Sequence, residues 1–152
     1  MRRGGAEDVE SAFAVWRAAE TARRGGPPPP VSKVRVRGYA RRARASLFVA
    51  EGGTSGVVGM ALLTPATSRP SEVSVLQMVF VSPERWGEGI GGKLVDAALA
   101  EARSGSYRQI QLWAHACDAR ARRLYESRGF RRSGPQQTGE SGEPIVRYDR
   151  PL

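Results

Sequence analysis

A single-domain α/β (α+β) fold, with helices laid over a central sheet, is what this sequence predicts, and three observations carry that prediction. Three stretches repeat their apolar residues at the helical period. Several short runs are rich in β-branched and apolar residues. A glycine-dense turn stands between the longest of those runs and the helix that follows it. At 152 residues the chain suits one domain over 1–152, large enough to bury roughly 68–70% of its unfolded surface.

Val9, Phe13 and Trp16 stand at i, i+4 and i+7 within residues 7–23, which predicts an opening amphipathic helix with Trp16 in its buried stripe. Gly25, Gly26 and the run Pro27 to Pro30 end it, because proline lacks an amide proton and a proline run prefers the extended PPII form. Residues 24–31 read as a stiff linker inside the domain. The stretch from Val31 to Ala45 carries Lys33, Arg35, Arg37, Arg41, Arg42 and Arg44 without an acid, and its secondary structure stays open. Ser46–Glu51 and Val57–Leu63 read as strands around the hairpin turn Gly52–Gly56, and Pro65–Ser71 as a loop. Glu72–Val81 is the longest strand, ended by Ser82-Pro83.

Beyond the glycine turn, Ile90, Leu94, Val95, Ala98, Leu99 and Ala102 predict a helix that closes at Ser104-Gly105-Ser106. Gln109–His115 supplies a further strand. Asp118 caps a second helix running to about Arg128, with Ala121, Leu124 and Tyr125 on one side. Gly129 stands where a left-handed cap is wanted, with Phe130 as its apolar partner. A loop from Ser133 to Pro144 leads to a short last strand, Ile145–Tyr148.

The net charge of +9 comes almost wholly from arginine, Lys33 and Lys93 being the only lysines. It suits a polyanionic partner, nucleic acid or a phosphate-rich cofactor, although a G+C-rich coding sequence accounts for the arginine equally well. Nucleic acid is disfavoured: the basic stretch has no interleaved aromatic beyond Tyr39, and no DNA- or RNA-binding motif is present. Cys117 is the sole cysteine, which excludes an intrachain disulfide and a cysteine-based zinc site, so no metal is expected. Glu7, Asp8, Glu10 and Arg17 interrupt any signal-peptide apolar region, and no 18-residue apolar run exists. A cytoplasmic setting with no membrane partner is expected.

The turn Gly87-Glu88-Gly89-Ile90-Gly91-Gly92 is where chemistry concentrates. A helix N-terminus offers unpaired amide protons and the positive end of the macrodipole, and glycine lets phosphates approach them. Four glycines in six residues exceed what a tight turn alone requires. Gly87, Gly89 and Gly92 also fit the G-x-G-x-x-G dinucleotide pattern, but 20 residues past Gly92 stand Leu112 and Trp113 rather than the ribose-binding acid. The turn also follows a hairpin near mid-chain instead of a first strand, so the dinucleotide reading is set aside.

The segment from Val79 to Leu94 resembles the acetyl-CoA-binding segment of the GNAT (GCN5-related) N-acetyltransferases, with its core pattern Q/R-x-x-G-x-G/A. Gly89 and Gly91 match the two small positions, and Trp86 stands where the family has glutamine or arginine. Asp118 to Phe130 is similar to the family's N-x-x-A-x-x-x-Y-E-x-x-G-F stretch, with Asp118 in place of the asparagine. The resemblance implies a mixed, mostly antiparallel sheet flanked by helices. It also implies acetyl-CoA as co-substrate, with Trp86, Gly87, Glu88, Gly89, Ile90, Gly91 and Gly92 around the pyrophosphate. Val79, Phe80 and Val81 would line the pantetheine arm, the backbone of Val79 and Val81 pairing with it like an extra strand. Asp118 would accept from a pantetheine amide.

The implied reaction is acetyl transfer to a primary amine of a small molecule or protein. Tyr125 matches the family position that protonates or stabilises the departing thiolate; its ordinary pKa near 10 exceeds the roughly 8.5 of a thiol. The place of the family's strand carboxylate is occupied by Val75. Glu72, three residues earlier, is on the opposite face of an unbroken strand, and only a bulge would turn it inward. His115, at a strand end beside the cleft, is the other candidate base, and a water chain is the third. Arg120, Arg122 and Arg123 either reach the phosphates or form a solvated helix face. The basic stretch 31–45 would shape the acceptor site and favour an acidic acceptor. A homodimer, a catalytically silent acyl-CoA-binding module and an acylated Cys117 stay open as alternatives.

Overall fold

The computed structural model describes residues 1–140 and 142–152 and orders the chain around one eight-stranded sheet. Strand β3 (Val57–Pro65) is central, and its side chains alternate between the two faces as a pleat requires. Ala61 and Leu63 join Leu94, Val95, Ala98, Leu99 and Ala102 of helix α3 (Ile90–Ser104) in one core. Met60 and Leu62 join Ala12, Phe13, Val15 and Trp16 of α1 (Val9–Arg24) in the other. Helices therefore cover both faces, as the resemblance implies. Close approach is built in at Gly59, where a Cβ would stand 3.0 Å from Ile90 and 3.1 Å from Leu94.

Across the sheet the order is β1 (Arg2–Arg3), β2 (Ser46–Glu51), β3, β4 (Val73–Val81), β5 (Gln109–His115), β8 (Pro144–Pro151) and β6 (Arg131–Arg132); β7 (Gln137–Thr138) pairs with the start of β8. Every pairing is antiparallel except β4 with β5. Helix α4 (Ala119–Ser127) begins at Asp118, whose Oδ1 accepts from the Ala121 amide at 3.1 Å, and Gly129 takes φ +85° beyond its end. The cap and the stop were both legible in the sequence.

Two expectations need correction. Pro30 is not linker: it takes the first position of helix α2 (Pro30–Ala40), where a missing amide proton costs nothing. The linker shrinks to Gly25–Pro29. Among its described side chains helix α2 buries little beyond Ser32 and Val36, so its period is faint; Arg37 holds it down by pairing with Glu10 and lying 4.9 Å from the Phe13 ring centroid. The last strand runs to Pro151 instead of ending at Tyr148, because it pairs with all seven residues of β5. Three two-residue strands carried no periodic signal; β1 is secured by Arg2 bonded to Asp8 and Arg3 bonded to Glu101. Ser141, within the expected loop from Ser133 to Pro144, lies outside the described residues.

The parallel pair sets up the site. Strands β4 and β5 pair only from Val73 to Val75 opposite Gln109 to Gln111. At Gln77 the register of β4 against β3 slips, Leu62 facing Met78 and Leu63 facing Leu76. Such a bulge bends its strand and increases the twist. Beyond it, β4 has no strand partner on the β5 side among the described residues as far as Val81.

Candidate functional site

The gap between the diverging strands holds two adjoining cavities. One, of about 440 Å³, lies between the end of β4, the glycine turn, α4 and the last turns of α1. Its walls include Val79, Phe80, Val81, Trp86, Gly87, Gly89, Ile90, Gly91, Gly92 and Asp118. Glu88, between two of these glycines, is turned out and accepts from Arg85. The other cavity, of about 360 Å³, lies toward α2 and the start of β8, between Trp16, Tyr39, Trp113, His115, Glu140 and Glu143. Glu20, Val79, Phe80, Asp118, Ala121 and Tyr125 belong to both. The two spaces meet at Tyr125.

The glycines of the turn divide their work. Gly87 and Gly89 have φ of +87° and +81°, the left-handed region, with open space where a Cβ would project. Gly91 gives passage to Leu124, 3.2 Å from where its Cβ would be, so α4 closes against α3. Gly89 is the N-cap of α3, and Ile90, Gly91 and Gly92 of its first turn, whose amides have no acceptor within the helix, line the larger cavity. Trp86 is 41% exposed at the mouth, its Nε1–H donating to the Val81 carbonyl at 2.8 Å. That carbonyl keeps a second lone pair for a ligand.

Tyr125 is only 8% exposed, packed edge-on against Phe130 and tilted against Tyr148, and its hydroxyl makes no hydrogen bond to another described residue. Burial, with the charge of Asp118 adding to it, raises its pKa above the ordinary tyrosine value. The phenol stays protonated across the physiological range. His115 lines the smaller cavity, and its Nδ1 lies 2.8 Å from Glu143 Oε2. The approach is out of line with the ring N–H, so this is a close polar contact and not a hydrogen bond. Burial first, then the Arg23 guanidinium, lower the His115 pKa against the opposing pull of Glu143. The ring is therefore neutral at pH 7.

Glu72 is not brought to this place. It sits ahead of β4, bonded to Arg69, and lines neither cavity; the bulge that could have turned it inward falls later, at Gln77. Arg69 also holds its carboxyl below the usual range. Cys117 is exposed and likewise lines neither space.

Sequence reasoning missed the charged side of the smaller cavity. Glu20 on α1 holds Arg23 through two bonds of 2.9 Å, and Glu143 receives Arg23, Arg24 and the His115 contact. Only the three-residue spacing of Glu20 and Arg23 could have signalled it; Glu143 stands in a stretch without period or motif. Of the basic stretch 31–45, the one arginine at the cavity is Arg35, and it is paired with Glu140. The expected surplus of positive charge there is cancelled.

The profile of the acetyltransferase (GNAT) family matches residues 12–130. An uncharacterized N-acetyltransferase of Archaeoglobus fulgidus is 39% identical over 72 residues, 47% of this chain; the chain spans about half, 48%, of that relative. Among solved structures, a ribosomal-protein-alanine N-acetyltransferase from Brucella melitensis shares 21% identity and a TM-score of 0.77, covering 99% of this chain and 98% of that one. A GNAT family acetyltransferase from Elizabethkingia anophelis with acetyl-CoA bound gives 18% identity and a TM-score of 0.66, over 84% of this chain and 93% of that one. At these identities the structures speak for the fold. The chain belongs to the GNAT acetyltransferase family.

Proposed function

We propose, from membership of the GNAT family, that this chain transfers the acetyl group of acetyl-CoA to a primary amine by direct attack. The observation that carries the reading is the meeting of two cavities at Tyr125, one walled by the glycine turn and the other by His115. The residues fit the co-substrate. Open space beside two left-handed glycines and the free amides of α3 suits a pyrophosphate, and the unpaired edge at Val79 and Val81 suits an extended amide-bearing arm. The acetyl-CoA bound to the Elizabethkingia anophelis protein of the same fold supports the same ligand here.

In this reading the thioester carbonyl lies at the junction and the amine enters from the smaller cavity. As nitrogen bonds to the carbonyl carbon, its proton passes to neutral His115, directly or through a water. The carbon–sulfur bond then breaks. The thiolate leaves with a hydrogen bond from the Tyr125 hydroxyl, and the proton taken up by His115 passes to solvent, from which the thiol is completed. A raised phenol pKa makes Tyr125 foremost a hydrogen-bond donor, since full transfer to a less basic thiolate is uphill. Asp118 keeps one carboxylate oxygen outside its helix-capping bond and can accept from an amide of the ligand. The lining of the smaller cavity carries more carboxylates, Glu20, Asp118, Glu140 and Glu143, than arginines, Arg24 and Arg35, which supports a basic amine more than an acidic acceptor.

Calorimetric titration with acetyl-CoA tests the donor, and thiol release over a panel of amines, peptides and amino-sugars tests the acceptor. Binding at micromolar to low-millimolar concentration with release for at least one amine is expected. Absence of binding at millimolar acetyl-CoA would end the reading. Binding without release from any amine would instead make the chain a silent acyl-CoA-binding module.

A further inference from the structure

Three arginines line the larger cavity: Arg23, Arg85 and Arg120. Two are already committed. Arg23 bonds Glu20 and Glu143, and Arg85 bonds both carboxylate oxygens of Glu88. Arg120 alone of the three has no carboxylate partner among the described residues. Its guanidinium lies 4.9 Å from the centroid of the Trp86 ring, reaching from the first turn of α4 to the start of the glycine turn. The indole beneath it is fixed by the 2.8 Å bond from Nε1 to the Val81 carbonyl. Two other cations nearby have acceptors of their own: Arg122 bonds the Tyr148 hydroxyl and the Ala116 carbonyl, and Arg128, whose guanidinium lies against Gly92, bonds Asp96.

We propose that Arg120, held on the face of Trp86, is the side-chain cation that binds the pyrophosphate of the co-substrate. The assignment rests on the acetyl-CoA reading above. Position 86 carries no glutamine or arginine, so the turn itself offers no donating side chain at its start. The stacked pair makes up the loss from the opposite wall. A guanidinium over an indole face spends no N–H on that contact, so its donors remain for a phosphate, which can be met by two parallel bonds. The anchored indole reduces the rotamer freedom Arg120 loses on binding, so less affinity is spent on ordering it. The free amides of α3 line the same cavity, so one anionic group meets both.

The test is calorimetric titration of the full chain with CoA and with 3′-dephospho-CoA, at low and high salt, in wild type, Arg120→Gln, Trp86→Leu and the double variant. Arg120→Gln is expected to weaken both ligands about tenfold, with a shallower salt dependence than wild type. Trp86→Leu is expected to weaken them less, and to add little once Arg120 is gone. Loss confined to CoA would mean the 3′-phosphate is the group held, and would overturn the assignment. So would unchanged affinity in Arg120→Gln, an unchanged salt dependence, or strictly additive losses. Arg120 is exposed, so its variant folds even if Trp86→Leu does not, and ligand choice and salt then decide alone. A wild type that binds neither ligand at millimolar concentration would instead sink the acetyl-CoA reading itself.

Discussion

The two cavities that meet at Tyr125 are built in opposite ways. The larger takes most of its wall from two short stretches, Val79–Gly92 and Asp118–Tyr125, and its conformation is dictated by local residues, glycines and a capping aspartate. The smaller draws on residues from Trp16 to Ile145, held together by charges far apart in sequence, such as Arg23 and Arg24 on Glu143 and Arg35 on Glu140. A wall made locally keeps its shape for a constant ligand, whereas a wall made of distant pairs can be exchanged pair by pair. The division suits a reaction with one donor and a variable acceptor.

The sharpest way to test that division is at the shared residue. Tyr125→Phe removes one hydroxyl and leaves the ring packed against Phe130 and Tyr148. It should lower kcat about a hundredfold while the calorimetric affinity for acetyl-CoA changes little. Gly89→Val should injure the larger cavity alone. A β-branched residue at φ +81° costs roughly 1–2 kcal/mol and tilts the first amides of α3, so acetyl-CoA affinity should fall about tenfold or more. Titration at fixed amine concentration reads it, and an unchanged amine KM would keep the two walls independent.

Glu143→Gln attacks the smaller cavity. It removes the charge facing Arg23, Arg24 and His115, and a half-exposed network of this kind should cost about 1 kcal/mol of stability. Amine KM should move, with acetyl-CoA affinity intact. The carboxylate also opposes the lowering of the His115 pKa, so without it the acid limb of kcat/KM should shift to still lower pH. A limb unmoved in Glu143→Gln and still present in His115→Gln would remove His115 as base. The smallest effect lies far from both cavities. Asp8 is held down to about 2 by Arg2. A depressed carboxyl contributes stability above its unfolded value near 3.9, lost as pH falls through about 2. Asp8→Asn should therefore flatten the melting temperature between pH 5 and 2, leaving both ligands' affinities at pH 7 unchanged.

Most of the fold could be read because its elements are amphipathic. Phe13 and Trp16, or Leu94, Val95 and Ala98, advertise the faces they bury. Helix α2 could not, since Val34 points to solvent and its hold comes from Arg35 and Arg37 reaching Glu140 and Glu10. The larger cavity was legible for a second reason: a left-handed turn at Gly87 and Gly89 and a cap at Asp118 are local demands with few residue solutions. Glu143 answers no local demand, and the pairing of Glu20 with Arg23 does not by itself point to a cavity. Their part emerges only when α1 and β8 are brought to the same end of the sheet, and Glu72 misleads for the converse reason, since Arg69 three residues away claims it.

The short parallel pairing of β4 and β5 has a thermodynamic consequence. A sheet that stops hydrogen-bonding after Val75 and Gln111 is unfinished, and its seam is closed by whatever extended molecule lies there. A ligand bound in that seam acts as a folding cofactor as well as a reactant. At about a hundred times its dissociation constant it should stabilise the native state by about 2.7 kcal/mol. Unfolding temperature should then climb with ligand concentration, and amides beside Val79 and Val81 should exchange with solvent more slowly. A chain with ligand in the seam should therefore resist unfolding better than the empty one.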